Sequence, residues 1–240
     1  RYMRNNLVII GLLVVMAWQM IHAAQPTTAF NWPTPMLPKR FPVEQIRSYP
    51  LKRAASGEPA DVYYPAPRKV SRRLDRDSFP LVVMLQGALV DKEYYSQFAQ
   101  GVARFGFVVV VPNHTSSVLG GAALFTEASV ITDVLVTMQT QDATADSPVY
   151  KIIDTGRMGL AGHSFGGVAG LLAAANICTF PFCKTTTGFQ RPAELQAAAL
   201  TGTYLGTDVD TTGVPIALLG GDQDIGLPQF RETLEKLEPP

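Results

Sequence analysis

Residues 157–176 read RMGLAGHSFGGVAGLLAAAN. The opening run, Arg157 to Ala161, is a short apolar strand, and the Ala- and Leu-rich sequence from Gly166 to Asn176 is helical. Between them stands Gly162-His163-Ser164-Phe165-Gly166, followed by Gly167, with no residues left over for a loop. A Ser held on so sharp a strand-to-helix turn needs small neighbours, because its backbone is strained and adjacent chains pass close to it. Gly162 and Gly166 supply that room, with His163 filling the position before the Ser. The Ser164 hydroxyl is then expected to project above the sheet at a helix N-terminus, where backbone N–H groups stabilise an oxyanion. Three fixed positions in five are weak by themselves; the strand before and the helix after point to Ser164 as a nucleophile.

Working outward, the same alternation extends in both directions. Upstream, Val62-Tyr63-Tyr64 reads as the core of a strand ending at Pro65. Leu81-Val82-Val83-Met84-Leu85 and Phe107-Val108-Val109-Val110-Val111 are continuous apolar runs suited to strands buried on both faces. Tyr94 to Arg104, between them, places Tyr95, Phe98, Val102 and Ala103 at helical spacings, and Gly106 ends it. Ala128 to Met138 is helical by periodicity. Downstream come apolar runs at Leu195 to Leu200 and Val214 to Leu219, then a helix-like stretch, Gln229 to Leu237. This order predicts an α/β fold, a mostly parallel sheet with helices on both faces, with its ligand site at the carboxyl ends of the strands.

An oxyanion hole draws a second donor from the loop after an earlier strand, and Leu85-Gln86-Gly87-Ala88-Leu89 ends such a strand with a Gly that permits close approach. The expected donors are the backbone N–H groups of Ala88 and Phe165. Gln86 is read either as orienting this loop or as plain polar surface. Phe165, Tyr94 and Tyr95 are read either as the wall of an apolar groove or as packing.

The segments Val62 to Tyr64, Leu81 to Val111 and Asp154 to Gly167 resemble the α/β-hydrolase superfamily, and more narrowly its cutinase-like, chlorophyllase-like and platelet-activating-factor-acetylhydrolase-like esterases. The likeness spans Phe41 to the end of the chain. It implies a Ser, acid, His mechanism in which the acid follows a late strand. Here Val214 to Leu219 runs into Gly220-Gly221-Asp222-Gln223-Asp224. Asp224 matches the usual acid position, while Asp222 is the alternative, and both are also ordinary turn formers. The acid would hold the His tautomer and stabilise the imidazolium.

The resemblance places the base after the next strand, yet no His follows Asp224; the chain holds only His22, His114 and His163. His22 lies in the leader and His163 adjoins the nucleophile. His114 follows the strand ending at Val111 but departs from the family order, so it is read mainly as a polar loop residue near the substrate. Arg1 in place of an initiating Met and the Leu237-Glu238-Pro239-Pro240 ending predict a chain truncated before its last strand. The base would lie beyond residue 240, and the 240-residue form would turn over esters very poorly.

Composition bounds the remaining choices. With 240 residues, 47% hydrophobic and 17% charged, the chain suits one globular domain. Its 20 basic and 20 acidic side chains are spread along the sequence, which leaves no electrostatic footprint for nucleic acid. Arg1 and Arg4 precede the apolar run Leu7 to Ile21, broken by Gln19. This predicts export, with residues 1–24 as a signal peptide; an N-terminal membrane anchor is the alternative, although the run is shorter than the roughly 20 residues of a spanning helix. Residues 25–40, with Pro26, Pro33, Pro35 and Pro38, read as a linker, and the hydrolase domain as 41–240. Export would let Cys178 and Cys183 form a local disulfide, with two free thiols as the alternative. No second Cys/His cluster suggests a metal, and no cofactor is implied.

The expected function is hydrolysis of carboxylic esters through an acyl-enzyme on Ser164, acting on a small-molecule or lipid ester. The alternatives are a lipase or phospholipase, and a hydrolase-fold binding protein that lacks a base and does not turn over.

Overall fold

The computed structural model of the chain describes residues 40–51, 58–66, 78–118, 120–183, 189–205, 209, 213–223 and 227–237. Seven strands form one sheet: β1 (Val43–Pro50), β2 (Pro59–Pro65), β3 (Phe79–Leu85), β4 (Val108–Pro112), β7 (Ile153–His163), β8 (Leu195–Thr201) and β9 (Ile216–Leu219). Their order across the sheet is β1-β2-β4-β3-β7-β8-β9. From β4 to β9 every neighbouring pair is parallel, while β1–β2 and β2–β4 are antiparallel. A two-stranded ribbon, β5 (Thr115–Ser116) with β6 (Ala123–Leu124), follows β4. The mostly parallel sheet expected from the sequence is present.

Alternation along the strands sorts side chains to two cores. Val62, Tyr64, Leu81, Val83, Leu85, Val108 and Val110 face one side, where they pack with α2 (Ser129–Ala143) and α3 (Phe165–Ala174). Tyr63, Met84, Val109, Val111 and Ala161 face the other, against Tyr95 of a 3-10 turn (Lys92–Tyr95) and Ala99 and Ala103 of α1 (Ser96–Ala103). Burial on both faces explains why β3 and β4 read as unbroken apolar runs. The helix α3 is apolar on every side because nearly all of it is buried between the sheet and its neighbours.

β1 was not expected from the sequence and β7 starts earlier than expected, and in both the pairing with a neighbouring strand shifts. In β1 Val43 packs against one core and Ile46 and Tyr49 against the other, and the pairing with β2 shifts between Ile46 and Tyr49, where Ser48 adopts φ 52°. A bulge of this kind erases the period of two. In β7 the register with β3 jumps from Pro80↔Asp154 to Leu81↔Met158. The residues between them bulge outward, with the Asp154 carboxylate accepting from Gly156 N and Arg157 Nε. The apolar signal therefore starts only near Arg157, although the strand starts at Ile153. The helix α2 runs on to Ala143, past the expected Met138. The closing helix α4 (Leu227–Lys236) docks through Thr233, whose Oγ1 accepts from Leu205 N at 2.8 Å.

The parallel register brings the functional segments to one edge. Leu85, Gly162, Leu200 and Leu218 are level across four strands. The loops that leave this row hold Gln86, Ser164, Gly202 and Gly220, the crevice where parallel sheets place their ligands. Among the described residues no helix is long and apolar enough to cross a membrane; the apolar run Leu7 to Ile21 and the linker lie outside them.

Candidate active site

Ser164 sits between the last residue of β7 and the first of α3, with φ 53° and ψ −118°. A non-glycine residue in such backbone stores on the order of 1–3 kcal/mol and persists only where its surroundings enforce it. They do so here. Ser164 N donates to Thr201 O at 2.9 Å, while Ser164 O accepts from Val168 N at 3.1 Å and from Thr203 Oγ1 at 3.2 Å. A Cβ on Gly162 would stand 2.7 Å from Gly166 O, and one on Gly166 would stand 2.5 Å from Gln86 O and nearer still to Leu85 O. The two glycines of the motif are thus fixed by close backbone approach. The same approach brings the end of β3 against the turn that carries Ser164.

The loop after β3 has its own fixed partners. Gln86 is fully buried; its Oε1 accepts from His114 N at 3.0 Å and its Nε2 donates to His114 O at 3.4 Å. It therefore ties the loop after β3 to the loop after β4, which answers the alternative of plain surface polarity. Leu89 N donates to Leu124 O at 2.7 Å, and Val90 N donates to Gly87 O. Gly87 N donates to the Tyr95 hydroxyl at 2.8 Å. Phe165 occupies the first position of α3, where a backbone N–H has no partner within the helix.

Phe165 and Tyr95 serve as packing. Phe165 is buried, edge-on to Phe125 with ring centroids 5.2 Å apart and tilted against Phe182 at 4.5 Å. Tyr95 is buried beneath the loop after β3, its hydroxyl 3.0 Å from His163 Nδ1. Tyr94 alone of the three is exposed.

His114 is held in a cluster that sequence reasoning missed. Its Nδ1 lies 2.7 Å from Glu58 Oε2 and its Nε2 3.7 Å from Glu127 Oε1, and Glu58 Oε1 also accepts from Thr115 N. Both glutamates are buried. Burial alone would favour neutral imidazole, but the adjoining carboxylates of Glu127 and Glu58 outweigh it and raise the His114 pKa above 6.5. None of the hydrogen bonds or ion pairs of His114 involves Ser164. The three residues are 56 and 13 positions apart along the chain, so no local pattern marks the cluster.

On the far side of Ser164, Gly202 N donates to Leu219 O at 2.9 Å and joins the ends of β8 and β9. Asp222 follows β9 in an exposed turn, while Asp224 lies outside the described residues. Cys178 and Cys183 form a disulfide just beyond α3. Phe182, beside it, accepts from Ala128 N at 2.9 Å and so braces the start of α2. Among the described residues no group of three His, Cys, Asp or Glu side chains is placed to hold a metal ion.

A family model described as chlorophyllase matches residues 45–183, more than half of the chain. The matched span runs from β1 through the loop after β3, the Glu58–His114–Glu127 cluster and the Ser164 turn to the disulfide. No curated protein matches the chain.

Proposed function

Since the chain belongs to the chlorophyllase family of ester hydrolases, within the α/β-hydrolase superfamily, we propose that it cleaves carboxylic esters through an acyl-enzyme on Ser164. The backbone of Ser164 carries this reading: a positive φ at a strand-to-helix junction, enforced by glycines that admit no Cβ. Such a backbone supports a hydroxyl presented above the sheet at the positive end of α3.

In the proposed reaction Ser164 Oγ attacks the ester carbonyl carbon and passes its proton to a general base. The carbonyl oxygen takes up the negative charge and accepts from Phe165 N–H and Ala88 N–H. The carbonyl reforms, the C–O bond to the alcohol breaks, and the alcohol leaves with a proton from the same base. Water then attacks the acyl-enzyme by the reverse sequence, which releases the carboxylic acid and restores Ser164. Asp224 is the proposed acid that orients the base, from the loop after β9. Neither described His serves as base in this scheme, because His163 is bonded to Tyr95 and His114 is flanked by two glutamates. The Cys178–Cys183 disulfide supports placing the protein in an oxidising compartment, as an exported enzyme.

The test is covalent labelling by a fluorophosphonate, with hydrolysis of p-nitrophenyl acetate and of chlorophyll, which the family name suggests, in parallel. Labelling and turnover that disappear in Ser164→Ala support the reading, and unchanged labelling of that variant overturns it.

A further inference from the structure

Tyr95 lies under the junction of the two loops on which the proposed reaction depends. Its hydroxyl oxygen is 2.8 Å from Gly87 N, next to Ala88, and 3.0 Å from His163 Nδ1, next to Ser164. The two loops touch at this point: a Cβ on Gly87 would stand 2.9 Å from His163 Nδ1 and 3.2 Å from the Tyr95 oxygen. The direction of the first bond follows from the N–H, which can only donate, and that of the second from the His163 tautomer. Burial pushes the Tyr95 pKa up to about 12 although the Gly87 N–H pulls it the other way, so the phenol keeps its proton at neutral pH. Gly87 N–H can only donate, and the phenol proton goes to His163 Nδ1 in the Nε2–H tautomer of the imidazole. The result is a directed chain, Gly87 N–H to Tyr95 O–H to His163 Nδ1. It also occupies the Gly87 N–H, which leaves Ala88 as the donor that this loop can offer an oxyanion.

We infer that Tyr95 is a positioning residue for ester hydrolysis: its hydroxyl clamps the loop after β3 to the Ser164 turn, so that the Ala88 and Phe165 N–H groups stay convergent on the reacting carbonyl. This rests on the reading of Ser164 as the nucleophile. Tyr95 touches no reacting atom. It acts through the spacing of two backbone donors, a spacing on which the transition state depends more than the ground state does.

The experiment uses the full chain, its Tyr95→Phe variant, which keeps the ring, and Ser164→Ala as control. A loop displaced by about 1 Å is expected to lower kcat on the order of 10-fold to 100-fold. The expected result for Tyr95→Phe is such a fall with KM within about 2-fold of wild type, since only transition-state binding is lost. The imidazole 15N spectrum of His163 reports the clamp directly: Nδ1 is an unprotonated, hydrogen-bonded acceptor in the wild type, and its resonance shifts when Tyr95→Phe removes the donor. A wild-type His163 protonated at Nδ1 at neutral pH, a Tyr95→Phe kcat equal to wild type, or a rise in KM alone would each overturn the proposal. Ester turnover that survives in Ser164→Ala sinks the nucleophile reading instead, and the wild-type 15N spectrum still decides whether the hydrogen bond exists.

Discussion

Gly166 is pressed against the end of β3, so that a Cβ on it would lie 2.5 Å from the Gln86 carbonyl oxygen and closer still to that of Leu85. Both obstacles are backbone atoms, one at the end of β3 and one in the loop that follows it, so they cannot rotate aside as a flexible side chain would. Gly166→Ala must therefore push α3 and its Ser164 turn away from β3. Overpacking of this kind costs about 1–3 kcal/mol, and the expected drop in Tm is several degrees for a chain of this size. Fluorophosphonate labelling of Ser164 should fall with it, because the displaced turn carries the nucleophile. A Gly166→Ala protein with wild-type Tm and labelling would contradict the packing described for this turn.

Gly101 supplies the opposite case. It lies inside α1, and a Cβ placed on it would meet nothing within 4 Å. Glycine within a helix is destabilising relative to alanine by roughly 0.5–1 kcal/mol, chiefly because the unfolded chain has more conformations to lose. Gly101→Ala is expected to raise Tm by about 1–4 °C with labelling unchanged. A fall in Tm would mean that α1 packs more tightly at this position than described.

The contrast between these glycines also marks what the sequence can disclose. The Gly162-His163-Ser164-Phe165-Gly166 turn was legible because its constraints are local: small residues at fixed offsets, a strand before and a helix after. The central strands β3 and β4 were legible because their burial writes continuous apolar runs. β1 was not, because at the edge of the sheet only Val43, Ile46 and Tyr49 are partly buried and the pairing shifts between Ile46 and Tyr49. The Tyr95–His163 bond and the Glu58–His114–Glu127 cluster were not legible either. Their members are brought together only by the strand order β2-β4-β3-β7, and nothing in the neighbouring sequence of any one of them names its partner.

Asp61 on β2 is fully buried between two cations, with Lys92 Nζ 3.1 Å from its Oδ1 and the Arg47 guanidinium at its Oδ2. Burial pushes its pKa up, but hydrogen bonds from Ser48 N, Arg47 and Lys92 prevail and hold it below the ordinary 3.8. A depressed carboxylate contributes stability that is present above the unfolded value and is lost as pH falls through the folded value. Asp61→Asn leaves the buried Lys92 without its counter-charge and should destabilise by about 3–5 kcal/mol near neutral pH. Denaturant titrations of both proteins should show this gap shrinking as the pH is lowered below about 4. A gap that stays constant down to pH 2 would exclude ionised Asp61 as its source.

His114 has the opposite sign. Glu127 and Glu58 raise its pKa above 6.5 against the effect of burial, so the stability it contributes is fully present below the unfolded value and is lost as pH rises through the folded one. The charged groups facing the ring are Glu58, from the residue preceding β2, and Glu127, from the segment preceding α2. In His114→Gln the two buried carboxylates lose the imidazolium at every pH. The expected difference in stability from wild type is about 2 kcal/mol at pH 6, the scale of a hydrogen bond to a charged group, and it should narrow steadily toward pH 9 as the wild-type imidazole loses its proton. Because His114 also anchors Gln86 through its backbone, which the substitution leaves in place, labelling of Ser164 should persist in the folded variant. A stability difference that widens with rising pH would show that His114 is held neutral between the glutamates, and that the carboxylates carry the protons instead.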